Sequence, residues 1–461
     1  MLLGFISDLS ASASILLIIC LLGVCLFEAI NGFHDTANAV ATVIYTHALK
    51  PMVAVVWSGF WNFLGVLLGG IAVAMSVIKL IPLNDLMLQP LGENISLVLA
   101  ILLASIFWNL GTWYFGIPCS SSHTLIGALL GAGFAFWTVH GGSGPNWHKG
   151  GEIGLSLLVS PLFGFSLAIM LMYILRINVK KRKKIFDEPD PQKAPPTWIR
   201  VILIITCTLV SFFHGSNDGQ KGVGLLLVVF IAFLPMQFVI NHNVPAADFS
   251  NAARRIEQVL LQSDSGQQAD HVQALAGQAG RVAAALESLD KSDKKQLHEL
   301  RKEIQSLVKN VDADLKSGVI PKRVAGEIKV SLHTLKGTYE FAPLWMIILI
   351  SLCLGIGTMI GWKRIVVTIG EKIGKTHLSY AQGASAEICA AATIGVSTAF
   401  GLPVSTTHVL SSGIAGTMVA SGGIQNLQKK TIRNIALAWI LTLPVSFAVA
   451  AGLFYLLRIA F

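Results

Sequence analysis

Two short motifs break long apolar stretches with Gly, Pro and clustered polar residues, and each occurs twice. The first pair is Phe115-Gly-Ile-Pro-Cys-Ser-Ser-Ser-His123 and Phe400-Gly-Leu-Pro-Val-Ser-Thr-Thr-His408. The second is Gly32-Phe-His-Asp35-Thr-Ala-Asn38 and Gly215-Ser-Asn-Asp218-Gly-Gln-Lys221, which share Gly and Asp in register. In hydrocarbon every backbone N–H and C=O needs a partner, so helix breaks at membrane depth survive only where protein or a water-filled cavity surrounds them. A chain with two such breaks in each of two copies is restricted to a duplicated membrane unit around a polar centre.

The copies differ in length. Asp35 and His123 are 88 residues apart, Asp218 and His408 are 190 apart, so the second copy is longer by 102. A block of that size stands out in composition: residues 236–340 hold 14 Lys/Arg and 13 Asp/Glu, nearly half of the charged residues in the chain. Removing it brings Leu64-Gly-Val-Leu-Leu-Gly-Gly70 opposite Leu349-Ile-Ser-Leu-Cys-Leu-Gly355. The spacing of Leu297, Leu300, Ile304, Leu307, Val308, Val311 and Leu315 predicts a helix inside the block, capped by Ser292 and followed by the breaker Pro321. A small helical hairpin or bundle is the expectation for this insert.

The chain as a whole is 53% hydrophobic with 13% charged residues and a mean hydropathy of +0.66, and its apolar stretches exceed the roughly 18 residues that span a bilayer. They run at about 13–47, 53–80, 95–115, 118–138 and 152–176, then 200–235, 342–362, 380–400, 403–422 and 434–460. An odd number per copy puts the copies in opposite orientations. The expected fold is therefore an all-α polytopic membrane protein of about 10–12 transmembrane helices in two inverted repeats, with broken or re-entrant helices and a soluble helical insert. The segments are a first repeat (1–176), a basic cytoplasmic linker (177–199), the start of the second repeat (200–235), the insert (236–340) and the rest of the second repeat (341–461). The net charge of +9 and pI near 9.2 fit lipid headgroups and a positive inner face rather than nucleic acid. Lys50, 176–193, Lys363 to Lys375 and Lys429 to Arg433 then lie inside, with both termini and the insert outside. The N-terminus lacks a basic n-region and a cleavage site, so the first apolar segment is expected to remain a membrane helix. Six scattered cysteines without CxxC spacing read as packing residues.

Repeats carrying interrupted helices point to a secondary transporter whose site lies where the repeats meet. Ser120, Ser121, Ser122 and Ser405, Thr406, Thr407 fall at helix starts, where hydroxyls cap free N–H groups and the dipole favours an anion. Capping or close packing alone is the plain alternative. Asp35 and Asp218 stand in segments expected to be interrupted, beside His34, Asn38, His214, Asn217 and Lys221. A buried carboxylate must be protonated, paired or bound to a cation, which indicates a proton or cation role; an interhelical hydrogen bond or a pair with Lys221 is the alternative. Lys221 suits either the charge of an anion or Asp218. His123 and His408 are secondary candidates, and Glu28 and Glu387, buried in apolar sequence without a counterpart in the other copy, rank lower.

The run Asn31-Gly-Phe-His-Asp-Thr-Ala-Asn-Ala-Val-Ala-Thr42, the run Gly215 to Gly222 and the Pro-x-Ser-Thr-Thr-His motif resemble the bacterial low-affinity inorganic phosphate transporters of the PiT family. The resemblance implies uptake of inorganic phosphate across the bacterial inner membrane, driven by protons or sodium, with protons the implied driver for bacterial members and phosphate often carried as a neutral complex with a divalent metal. It implies phosphate contacts at Ser120 to Ser122 and Ser405 to Thr407, and a coupling ion or metal at Asp35, Asn38, Asp218 and Asn217. Lys221 stands where the first copy has Asn38, a departure from the family pattern. No resident cofactor is expected, and a homodimer is one open assembly. A sodium-coupled phosphate or sulfate carrier on the same fold is the nearer alternative. An intramembrane phosphate-ester hydrolase is more remote, because the chain lacks His-Glu-x-x-His and Gly-x-Ser-x-Gly and duplicates every candidate group.

Overall fold

The computed structural model describes residues 9–87, 89–179, 183–190, 193–263, 268–289 and 293–461. Among them there are helices and no strands, apart from a single bridge between Gly374 and Leu427. Contacts gather the chain into two units: one holds the helix Leu83–Leu86 and Phe230–Ala342, the other Leu9–Pro82, Pro90–Val229 and Pro343–Phe461.

In the membrane unit the first copy comprises α1 (Ala11–Tyr45), α2 (Pro51–Leu68), α3 (Ala72–Ile78), α4 (Leu91–Tyr114), α5 (Ser121–His140) and α6 (Trp147–Asn178). The second begins with α7 (Thr197–His214), a π-helical turn (Gly215–Gly219) and α8 (Gln220–Phe233). The other unit contains α9 (Ala246–Leu261), α10 (Ala269–Glu287), α11 (Lys294–Ser317) and α12 (Lys322–Lys336), and the membrane unit resumes with α13 (Leu344–Thr358), α14 (Lys363–Glu371), α15 (Tyr380–Ala399), α16 (Thr406–Gly422) and α17 (Lys429–Leu457).

Seven helices among the described residues are long and apolar enough to cross a bilayer: α1, α2, α4, α5, α6, the rod Thr197–Phe233 and α17; α13 is a shorter apolar helix. This is a multi-pass membrane protein. Helix α15 carries buried Gln382, Ser385 and Glu387, and α16 has 17 residues of which the first are hydroxylated.

The two kinds of expected break have different outcomes. The Gly-x-Pro breaks are full interruptions with matching geometry. Gly116 (φ 65°) and Gly401 (φ 67°) take the left-handed conformation that glycine adopts without strain, and Ile117 N donates to Thr112 O and Leu402 N to Ser397 O, each at 2.9 Å. Ser120 and Ser405 then cap α5 and α16 by accepting from His123 N (3.2 Å) and His408 N (3.1 Å). At Gly32, by contrast, α1 runs on as one helix of 35 residues, and at Gly215 the chain keeps helical continuity through the π turn. Glycine lets backbones meet here without unwinding: a Cβ at Gly32 would lie 2.5 Å from Leu354 O, and one at Gly215 2.1 Å from Asn62 O. An interruption appears instead inside the expected 53–80 segment, where Gly69 and Gly70 separate α2 from α3 and the Gln220 side chain supplies the lost backbone partners, accepting from Val73 N (2.8 Å) and donating to Gly69 O (2.7 Å).

Packing is reciprocal between the copies. Helix α5 lies on α17 while α16 lies on α6; α1 meets α13 while α7 meets α2; α4 meets α17 while α15 meets α6. Small residues set these approaches, Gly131 against Phe447 and Gly416 against Phe165. Both partner helices have an internal proline, Pro161 in α6 and Pro444 in α17.

The charged unit has its own core of Ile256, Val259, Ala276, Val282, Leu297, Ile304, Leu307, Val311, Ile328 and Leu335. Asp293 caps α11 by accepting from Lys295 N and Gln296 N, Gly318 ends it at φ 79°, and Pro321 opens α12. Ser292, the cap expected from sequence, lies outside the described residues.

Candidate functional site

The two capped helix starts meet. The His123 and His408 rings lie 4.5 Å apart between centroids, and Ser122 Oγ donates to Val404 O across the copies at 2.8 Å. Behind these ends stand Asp35 and Asp218, 2% and 0% exposed. Asp35 receives Ser121 Oγ from α5 at 2.8 Å and the Thr407 hydroxyl from α16, and His34 Nδ1 lies 3.4 Å from it. One carboxylate of the first copy is thus held by hydroxyls from both.

Asp218 is held by Lys221 Nζ at 2.8 Å and by Thr406 Oγ1 at 3.5 Å, and His214 Nε2 lies 3.7 Å from it. Lys221 is itself buried, and its ammonium also donates to the Ser122 hydroxyl and to Val404 O (3.2 Å). Asp35, His214 and Asp218 each offer one ligand atom within 4.8 Å of the others. Two carboxylate oxygens and one imidazole suit a divalent cation that completes its shell with water or phosphate oxygen.

Not every candidate faces this centre. Ser120 and Ser405 direct their oxygens to the helix N–H groups they cap, and Ser120 Oγ also meets His123 Nδ1 at 2.8 Å. Asn217 holds the second break: its amide donates to Thr398 Oγ1 (2.9 Å) and Leu402 O (3.2 Å), and its oxygen accepts from Val404 N. His408 stacks on Trp439 with centroids 4.0 Å apart. The Asn38 side chain lies outside the described residues.

The model of the phosphate transporter family matches residues 31–450, a span holding both breaks, both central carboxylates and both hydroxyl triplets. The chain belongs to this family. It is 40% identical to the low-affinity inorganic phosphate transporter PitA of Escherichia coli (strain K12), with 98% of this chain and 99% of that protein covered. It is 40% identical to the low-affinity inorganic phosphate transporter of Buchnera aphidicola subsp. Acyrthosiphon pisum (98% of each covered) and 30% identical to the probable low-affinity inorganic phosphate transporter of Bacillus subtilis (98% and 100%). A solved structure, that of a sodium-dependent phosphate transporter, has the same fold, with a TM-score of 0.56, 20% identity, and 97% of this chain and 100% of that chain covered.

For this family member, sequence reasoning gave no role to Asn31, Asn62 and Thr112. Asn31 accepts from Ser121 Oγ (2.7 Å). Asn62 accepts from His214 Nδ1 through its side-chain oxygen (2.8 Å) and donates to Thr358 Oγ1 at 3.0 Å. Thr112 meets His34 Nε2 at 3.3 Å. Their only signal in sequence is a polar side chain in an apolar segment, which many packing residues share.

Proposed function

We propose that this chain imports inorganic phosphate by proton symport, with alternating access between two inverted repeats and with phosphate travelling as a neutral complex with a divalent metal. The observation that carries the reading is the meeting of two hydroxyl-bearing helix starts over the Asp35–Asp218 pair. Ser121, Ser122, Thr406 and Thr407 would turn their hydroxyls from the carboxylates and Val404 O to the anion, and the N-terminal dipoles of α5 and α16 favour its charge. Ser120 and Ser405 act at one remove, by keeping those helix starts in place, and Asn217 does the same for the second break. Asp35, His214 and Asp218 take the metal or coupling ion, with Asn38 the remaining candidate of the first copy. Phosphate retains a proton that can be donated to a carboxylate near neutral pH and sulfate does not, so acceptors at the centre favour phosphate.

Reciprocal packing of the copies supports alternating access, because the two sets of contacts can exchange around a fixed centre. Charge supports placement in the bacterial inner membrane with the basic loops inside and the termini and insert outside; Arg200 Nε on Ala48 O and Arg176 Nη1 on Ala420 O bring basic ends of separate helices to neighbouring loops. The sodium dependence of the solved neighbour favours sodium coupling as the second reading. The Lys221 ammonium favours protons, since it already occupies an oxygen-lined place beside Asp218 that a second metal cation would otherwise need. Radiolabelled phosphate uptake into proteoliposomes under an imposed proton or sodium gradient tests this. Uptake is expected to follow the proton gradient and to fall in Asp35→Asn; dependence on sodium alone overturns the coupling ion, and transport of sulfate without phosphate overturns the substrate.

A further inference from the structure

Glu28 lies on α1 two turns before Asp35 and is fully buried. Its Oε2 accepts from Asn31 Nδ2 at a long 3.4 Å, and its Oε1 has no hydrogen-bond partner among the described residues. Gly222 makes room for it, since a Cβ there would sit 2.2 Å from Oε1. The titratable groups around it are Asp218 on the π turn, Lys221 on α8, Cys25 on its own helix and Cys353 on α13. Asn31 links it to the centre, because Ser121 Oγ reaches both Asn31 Oδ1 (2.7 Å) and Asp35 Oδ2 (2.8 Å).

An ionised carboxylate away from water needs several donors, and leaving one oxygen unpaired carries the full cost of desolvation. Asp35 accepts from Ser121 and Thr407, and Asp218 accepts from Lys221 and Thr406. Glu28 has one weak donor. Of the three acids it is the one whose surroundings suit the neutral form.

We propose that Glu28 is the seat of the coupling proton, an assignment that rests on the proton-symport reading above and separates the proton from the Asp35–His214–Asp218 cation cluster. A proton from outside water binds Oε1 to give the carboxylic acid, the same O–H bond breaks to water on the inside, and no other bond changes. Ionised Glu28 adds a negative charge to a centre whose two aspartates already outnumber Lys221, and this opposes the phosphate oxygens of an arriving complex. Protonation removes that charge, so proton and phosphate each favour the other's binding, as reciprocal linkage requires.

The test compares the full native chain with Glu28→Gln in proteoliposomes, using inorganic phosphate and an internal pH dye. The variant is expected to keep phosphate–phosphate exchange, to lose accumulation driven by the proton gradient, and to pass phosphate downhill without the proton influx seen in the native chain. Accumulation with proton influx in the variant overturns the assignment, as does loss of exchange together with accumulation, which marks a need for Glu28 in the fold or in phosphate binding. If Glu28→Gln does not reach the membrane, Glu28→Asp decides: a displaced pH midpoint for accumulation supports the proposal and an unchanged one overturns it. A native chain driven only by sodium removes the symport reading and this assignment with it, whereas proton-driven native uptake beside an unaffected Glu28→Gln removes this assignment alone.

Discussion

Asp35 and Asp218 occupy matching positions in the two copies and are held in different ways. Asp35 is surrounded by the neutral hydroxyls of Ser121 and Thr407, one from each copy, with His34 at its side. Asp218 has a full positive charge against it, Lys221 from the next turn of its own segment. Hydroxyls can rotate from a carboxylate to an incoming anion at small cost, whereas an ammonium held by a carboxylate, a hydroxyl and a carbonyl moves only if all three are replaced. The duplication supplies two similar frames, and divergence at Lys221 makes one carboxylate responsive and the other anchored.

The strongest way to break this contrast is to remove the anchor. Lys221→Met strands Asp218 without its cation, and breaking a buried pair costs about 3–5 kcal/mol. Thermal unfolding of the detergent-purified protein should show that loss, with most of it recovered in the double variant Lys221→Met/Asp218→Asn. An undiminished unfolding midpoint in the single variant would mean that the ammonium supports nothing.

Asp35→Asn should spare the fold and act on transport. Asn still accepts from Ser121 and Thr407, so the unfolding midpoint should stay near that of the native protein. The loss of one charge-assisted contact to the transported complex, worth about 1.5–3 kcal/mol, should lower phosphate uptake about 10- to 100-fold. If stability fell as far as in Lys221→Met, the two carboxylates would be alike and the contrast would fail.

The helix caps should show the smallest effect. Ser120→Ala and Ser405→Ala should each cost about 1 kcal/mol through the lost cap. Ser120→Ala should cost more of the two, because Ser120 Oγ also holds His123 Nδ1. Hydrogen exchange in the first turns of α5 and α16 reads the difference, and equal protection in both variants would rule out a structural use for the His123 contact.

The helical, membrane-spanning character of the chain was legible because hydrocarbon leaves the backbone few options, and the Gly-x-Pro breaks were legible because Gly and Pro act on their own backbone. The same reasoning failed at Gly32. There glycine serves a neighbouring helix, letting Leu354 O approach α1, and nothing in the local sequence separates a glycine that breaks a helix from one that admits another. The gap between α2 and α3 was missed for a related reason: it depends on Gln220, about 150 positions away, to satisfy Val73 N and Gly69 O. Asn217, which the resemblance places at the coupling ion, holds the second break in this structure, and Glu28, which lacks a counterpart in the other copy, lies one amide from the central network.

Sequence by itself determined what each residue can do locally: which stretches must lie in lipid, where Gly and Pro end a helix, which hydroxyls fall at a helix start, and that the pattern occurs twice. Tertiary structure decided which of these groups meet. Thr407 reaches Asp35 across 372 positions of chain, and Lys221 finds Ser122 and Val404 from two other elements. Hydrogen bonds and ion pairs act over a few ångströms in space, and the order of residues along the chain carries that distance only within a turn or two of helix.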